Sequence, residues 1–189
     1  MEGPVVTPAD CILFSGAAQG AEAAFGEAAE RHGVQEVNFT FEGHSDARTR
    51  GLRVLSEADL KKGDVSLSYV SKLMHRRFPD TPLFRKVLQS IWHQVNNGHE
   101  IFLVGIIQPD DTVVGGTGVS AEYAKFFNKV CHVFDQERRG WFRWSGDGWE
   151  PEIDPVIREK HFTGTGTRFL RDEGRRAIDA LFARTFGKG

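Results

Sequence analysis

Three times in this chain a short apolar run meets a turn of glycine and other small residues, and each turn leads into residues spaced for a helix. The turns are Ser15-Gly16-Ala17-Ala18-Gln19-Gly20-Ala21-Glu22, Val114-Gly115-Gly116-Thr117-Gly118-Val119-Ser120-Ala121-Glu122 and Thr163-Gly164-Thr165-Gly166-Thr167-Arg168. A buried strand that hands over to an amphipathic helix through such a turn is half of a βαβ unit. Its recurrence predicts an α/β fold, a mainly parallel sheet with helices on both faces. In such sheets ligands bind outside the carboxyl ends of the strands, which is where all three turns fall. Glycines let the backbone approach an anion, and the first amides of the following helix are unpaired donors aligned with its dipole, so each turn is a candidate phosphate cradle.

The rest of the chain fits that frame. Ala21, Ala24, Phe25, Ala28 and Ala29 recur at helical spacing until Gly33, and Val37, Phe39 and Phe41 alternate as a strand would. Residues 45–63 are polar and basic and read as loop with a short helix after Ser56, and Asp64 reads as the N-cap of a helix to about Arg77, with a strand over 65–70 as the alternative. Thr81-Pro82 starts a helix to about residue 96, with Phe84, Val87, Leu88, Ile91 and Val95 as its apolar stripe. Strands follow at 101–107 and 130–134, then a Trp-rich hairpin at 140–150, and a last helix from about Thr167. Trp141, Trp144 and Trp149 beside Arg143 suit cross-strand pairing better than base stacking, and Trp92 and His93 read as packing residues.

Composition excludes several classes. The length fits one domain, and no apolar run approaches the ~20 residues of a membrane span. The opening ten residues have no basic start, so a cytoplasmic protein with no membrane partner is expected. Cys11 and Cys131 each open an apolar run and read as reduced core thiols, and no Cys or His pair has metal-ligand spacing, so neither metal nor cofactor is expected. The net charge of −2 makes nucleic acid an unexpected partner, although residues 48–86 hold ten Lys or Arg against four Asp or Glu.

The turns also carry a family resemblance. Ser15, Gly16, Ala18, Gly20 and Glu22 resemble the Ser-Gly-x-Ala-x-Gly-x-Asp signature of the Rossmann-like domain of the DNA-processing protein A family. Gly166-Thr167-Arg168, followed by Gly174, is similar to that family's Gly-Thr-Arg or Gly-Ser-Arg at a helix start. Gly115, Gly116, Gly118 and Glu122 keep the spacing of Pro-Gly-Gly-x-Gly-Thr-x-x-Glu in the "lonely guy" phosphoribohydrolases, with Val114 in place of Pro and Val119 in place of Thr. Both families belong to the SLOG superfamily, which also includes molybdenum-cofactor carrier proteins. The resemblance covers residues 11–44, 80–135 and 161–186, and its motifs stand in circularly permuted order. If that permutation is real, the strand ending near Gly164 lies beside the strand ending at Ser15.

The resemblance implies binding of a phosphorylated, nucleotide-like small molecule. The ligand residues would be Ser15, Gly16, Ala17, Gln19, Gly20, Glu22, Gly115, Gly116, Thr117, Gly118, Thr163, Gly164, Thr165, Gly166, Thr167 and Arg168, with His44 at the same edge. The phosphoribohydrolases implicate a Glu of the glycine motif and an Arg of the preceding helix in cleaving a nucleotide's N-glycosidic bond. Glu122 and Arg85 stand at those positions, and a carboxylate that activates water beside a phosphate-binding arginine is workable chemistry. Cleavage is therefore the alternative to binding, and a single-stranded DNA module is the third reading. Related folds dimerise through surface helices, which leaves room for a homo-oligomer by analogy.

Overall fold

The computed structural model describes residues 5–188; Met1 to Pro4, the start of the opening segment considered above, and Gly189 lie outside it. Its eight strands are β1 (Ile12–Ser15), β2 (Gln35–Thr40), β3 (Leu52–Val54), β4 (Glu100–Gly105), β5 (Val130–Asp135), β6 (Gly140–Trp144), β7 (Trp149–Glu152) and β8 (His161–Gly166). Six helices connect them: α1 (Ala21–His32), α2 (Glu57–Lys61), α3 (Asp64–Leu73), α4 (Pro82–Asn97), α5 (Gly116–Phe126) and α6 (Asp172–Phe186). The strands form one sheet in the order β3-β2-β1-β8-β4-β5-β6-β7. All pairs from β3 to β5 are parallel, and the β6–β7 hairpin adds two antiparallel strands at one edge.

Period-two alternation in the central strands produces two cores. Phe102 and Val104 of β4 join Phe25 of α1 and Ile178, Leu181 and Phe182 of α6 on one face. Ile101 and Leu103, one residue out of phase, join residues of α3, α4 and α5 on the other. A third cluster, Phe14, Val37, Phe39, Leu55 and Leu60, closes the β2–β3 end. With both faces covered, the central strands β1, β8 and β4 are largely buried, and the architecture is Rossmann-like in layout.

The last parallel strand in sequence, β8, is inserted between β1 and β4, with Phe14 opposite Thr163 and Val104 opposite Gly166. The adjacency required by a permuted motif order is thus present. Local signals explain most element ends. Thr81 caps α4 through the Phe84 amide, Ser56 caps α2 through Asp59, and Gly33 ends α1 in the left-handed region at φ 74°. Residues 64–73 resolve as helix, α3. Trp144 faces Trp149 across the hairpin with ring centroids 5.1 Å apart, and Pro151 sits on the edge strand, where its missing N–H costs nothing.

Two expectations need correction. The last helix opens at Asp172, not near Thr167, because 167–171 form a loop bracketed by the buried Gln136 side chain, which accepts from the Arg171 amide at 2.7 Å and donates to the Phe169 carbonyl at 3.3 Å. Phe169 consequently projects from the surface, 77% exposed, and takes no part in the apolar side of α6. The loop after β2 also contains a three-residue strand, β3, too short to show a period. The arginines beside it are structural: the buried Glu36 carboxylate accepts from Arg48 at 2.9 Å and Arg50 at 2.7 Å.

Both cysteines are buried free thiols, and burial pushes Cys11 up to about 11 and Cys131 up to about 12. No described helix is long and apolar enough to cross a membrane.

Candidate functional site

Because β1, β8 and β4 are neighbours, the three glycine turns leave the same edge of the sheet from adjacent strands. The chain from β1 and β8 passes to α1 and α6 on one face, while that from β4 passes to α5 on the other. The crevice between such diverging connections is where open parallel sheets bind ligands. The first and third turns touch directly. The Ala21 amide donates to the Thr167 carbonyl at 2.9 Å, and a Cβ on Gly20 would lie 2.5 Å from the Arg168 Cα. Helix α4 backs two of the turns: a Cβ on Gly16 would meet Gln94, and one on Gly116 would rest on Leu88 and Ile91.

Within that edge the α1 turn is closed by the chain itself. Glu22, in the first turn of α1, folds back so that Oε2 accepts from the Ala18 amide at 2.9 Å. Its Oε1 accepts from the Thr165 hydroxyl at 2.7 Å and from Gln94 Nε2 at 3.2 Å. One carboxylate therefore ties together the β1–α1 turn, β8 and α4. Ser15, Gly16, Ala17 and Glu22 are buried, as are Thr163, Gly164 and Thr165, with the Thr163 hydroxyl on the Gln94 carbonyl and Gly164 under the Phe25 ring. Gln19, Gly20, Gly166, Thr167 and Arg168 remain at the surface of this part of the edge.

The α5 turn is open. Gly115, exposed and at φ 69°, precedes a helix with no side-chain cap and no acidic residue in its first turn. Among the described residues the amides of Gly116 and Thr117 have no acceptor. Thr117 is buried against Gly105, at the end of β4. Beside this terminus stands Arg76, from the segment after α3. Its Nη1 donates to the carbonyls of Val113 at 2.8 Å and Gly115 at 3.1 Å, and its Nη2 donates to Gln108 Oε1 and the Thr112 hydroxyl. All four acceptors are neutral, so no carboxylate is hydrogen-bonded to the guanidinium. A Cβ on Gly118 would clash with the Val113 carbonyl oxygen, and also come within 2.6 Å of Arg76 Nη1, which explains the glycine there. The Asp110 carboxyl is held below its usual range, chiefly by the Thr112 hydroxyl, with the Arg76 charge adding to the effect.

The structure does not bring Glu122 and Arg85 to a common partner. Because α5 begins at Gly116, Glu122 is six residues into the helix, ~9 Å along its axis from the open turn. Its carboxylate pairs with Lys125 at 2.9 Å, and that ammonium lies 4.0 Å from the Trp144 ring centroid, at the hairpin. Arg85 is one turn before Leu88 on α4 and faces Asp64 at 3.6 Å. His44, after β2, is hydrogen-bonded to Asp46 at 2.6 Å and to Thr40 at 3.2 Å.

Arg76 was missed in the sequence because it sits in no motif, one of ten cations in a basic stretch; only the fold places it at α5. Two surface depressions lie away from this edge. One, of about 480 Å³, runs between α6 and the hairpin, and the other, of about 160 Å³, adjoins His132. No protein-family model, curated protein or solved structure matches the chain.

Proposed function

We propose that this chain binds a nucleotide or nucleotide derivative through its phosphate, seated at the amino terminus of α5 between the Gly116 and Thr117 amides and the Arg76 guanidinium. The observation that carries the reading is a guanidinium with no carboxylate hydrogen-bonded to it beside a helix start with no side-chain cap and no acid in its first turn. A phosphate fits both at once. Gly115 and Gly116 leave its approach clear, and Thr167 and Arg168, on the neighbouring strand end, are placed to reach the rest of a ligand lying along the edge.

Binding is preferred to cleavage because the Glu122 carboxylate is held by Lys125 at the hairpin side of α5, while Arg85 faces Asp64. The test is titration calorimetry with inorganic phosphate, ribose 5-phosphate and a panel of nucleotides, with released base followed by chromatography. Arg76→Gln should weaken phosphate-bearing ligands by about tenfold or more, the effect of removing one positive charge beside the phosphate. If no phosphorylated compound binds, the reading fails. Release of base that is abolished by Glu122→Gln would establish the hydrolase in its place.

A further inference from the structure

Phe169 is the most exposed aromatic side chain among the described residues, at 77%. A lone apolar side chain in water is ordinary on a protein surface, so its exposure by itself says little. Its place in the fold says more. The segment from Thr167 to Phe169 crosses the carboxyl end of β4, where the Thr167 amide donates to the Val104 carbonyl at 2.9 Å. Just past β5, the Gln136 amide donates to the Gly105 carbonyl at 2.9 Å, and the Nε2 of the same residue donates to the Phe169 carbonyl at 3.3 Å. One glutamine therefore links Phe169 to Gly105, the residue against which Thr117 of α5 is packed. The length of a glutamine side chain and its two hydrogen bonds puts the two carbonyls within about 12 Å of each other.

The segment is also held in place. The Phe169 amide donates to the Thr167 hydroxyl at 3.0 Å, the Arg171 amide donates to Gln136 Oε1 at 2.7 Å, and the Arg168 backbone lies against Gly20. The Arg168 guanidinium stands over the Phe169 ring, 5.9 Å from its centroid, and most of the ring's remaining surface faces water. An aromatic ring on a backbone pinned from both sides is a preorganised stacking surface, because little freedom is left to lose when a planar partner settles on it. We propose that Phe169 stacks the base of the nucleotide whose phosphate sits at the start of α5, which makes the ligand a nucleoside phosphate and not a sugar phosphate. The inference rests on the phosphate reading and adds to it the group that recognises the base. A ribose spans from the Gly116 and Thr117 amides to the ring along the carboxyl end of β4, the place where open parallel sheets hold their ligands. Stacking uses the π-face that every base shares, so this contact selects for the presence of a base and not for its identity.

Calorimetric titration of the native chain and of Phe169→Ala, Phe169→Leu and Phe169→Trp with inorganic phosphate, ribose 5-phosphate and adenosine monophosphate tests the assignment. Residue 169 is exposed enough that all three variants keep the fold. The native chain should bind the nucleotide more tightly than ribose 5-phosphate. Phe169→Ala should weaken the nucleotide ~5- to 150-fold, the worth of one stacked base, and leave the other two ligands unchanged. Phe169→Leu, apolar but without a π-face, should behave as the alanine variant does, and Phe169→Trp should keep the nucleotide affinity, with the fluorescence of the added indole quenched on binding. Nucleotide and ribose 5-phosphate of equal affinity for the native chain, a nucleotide affinity indifferent to Phe169→Ala, or native affinity in Phe169→Leu would overturn the stacking role while the phosphate site stands. A native chain that binds none of the three compounds would overturn both.

Discussion

His132 on β5 offers the sharpest test of the energetics. Its side chain is 4% exposed and stacks on Phe102 with centroids 4.5 Å apart. Its Nε2 meets Glu100 at 3.0 Å and its Nδ1 meets Glu152 at 2.6 Å. Two carboxylates can both accept only if both ring nitrogens donate, so the arrangement selects the imidazolium. Burial pushes the imidazole down, but the hydrogen bonds from Glu100 and Glu152 and their charges outweigh it, and the net shift is upward. Arg143, opposite His132 in the β5–β6 register, belongs to the same charged surround. Glu100 also accepts from the amides of Arg158 and Glu159 at 2.9 and 3.2 Å, fastening the β7–β8 connection.

His132→Leu keeps the packing on Phe102 and strands Glu100 in the interior. Breaking a buried pair costs ~3–5 kcal/mol, and the two remaining amide donors place this case at ~3 kcal/mol, roughly 6–12 °C in Tm for a chain of this size. The pH dependence carries the sign. A histidine whose folded pKa is raised contributes its stability fully below the unfolded value of 6.5 and loses it as pH rises through the folded value. Urea unfolding between neutral and alkaline pH should show stability falling by up to ~1.4 kcal/mol per pH unit in the native chain. That dependence should be absent from His132→Leu. A variant of native stability, or one that keeps the same slope, would refute an ion-paired His132.

Three further outcomes follow from single contacts. Lys129 Nζ donates to the carbonyls of Val95, Asn96 and Gly98 at 2.6, 2.8 and 2.7 Å, which satisfies the end of α4, while burial lowers its pKa. Lys129→Met should cost ~1–3 kcal/mol by thermal unfolding, and arginine, whose planar fork cannot converge on three carbonyls, should not restore it. Gly20 and Gly33 both have positive φ, 97° and 74°, but only Gly20 lies against backbone, so Gly20→Ala should cost well over the ~1–2 kcal/mol expected for Gly33→Ala. Glu22→Gln removes an acceptor from the Ala18, Thr165 and Gln94 junction and should cost ~1–3 kcal/mol, read by urea unfolding, while phosphate affinity at α5 stays unchanged by calorimetry.

The sheet was legible because its signals are local. Thr81-Pro82, Gly33 and the alternating β4 residues state their own conformation, and even the β8–β1 adjacency could be stated from motif order. Short β3 lacks enough residues to show a period, and the late start of α6 depends on a buried Gln136 thirty-odd residues earlier, a contact no window along the chain contains. The site was legible to the same depth. That three turns share one edge follows from strand pattern, but which of them is open depends on where Glu22, Arg76 and Lys125 send their charged ends, and those choices are tertiary.

Charge decides between the two helix starts. A helix start carries about half a positive charge, so a phosphate would gain at either if nothing else stood there. At α1 the chain already supplies the anion, because Glu22 lies in the first turn and its carboxylate is buried across the Ala18 amide. A second anion within ~4 Å of it would be repelled by ~4 kcal/mol at the effective dielectric of a protein surface. At α5 the first turn has no acid, and Arg76 adds a whole positive charge. The same separation there gives an attraction, reduced by the Asp110 carboxylate on which the Arg76 charge also acts. The glycines alone make the two turns look equivalent; one carboxylate and one guanidinium make the first a structural junction and the second the place where an anion gains from both the helix and the cation.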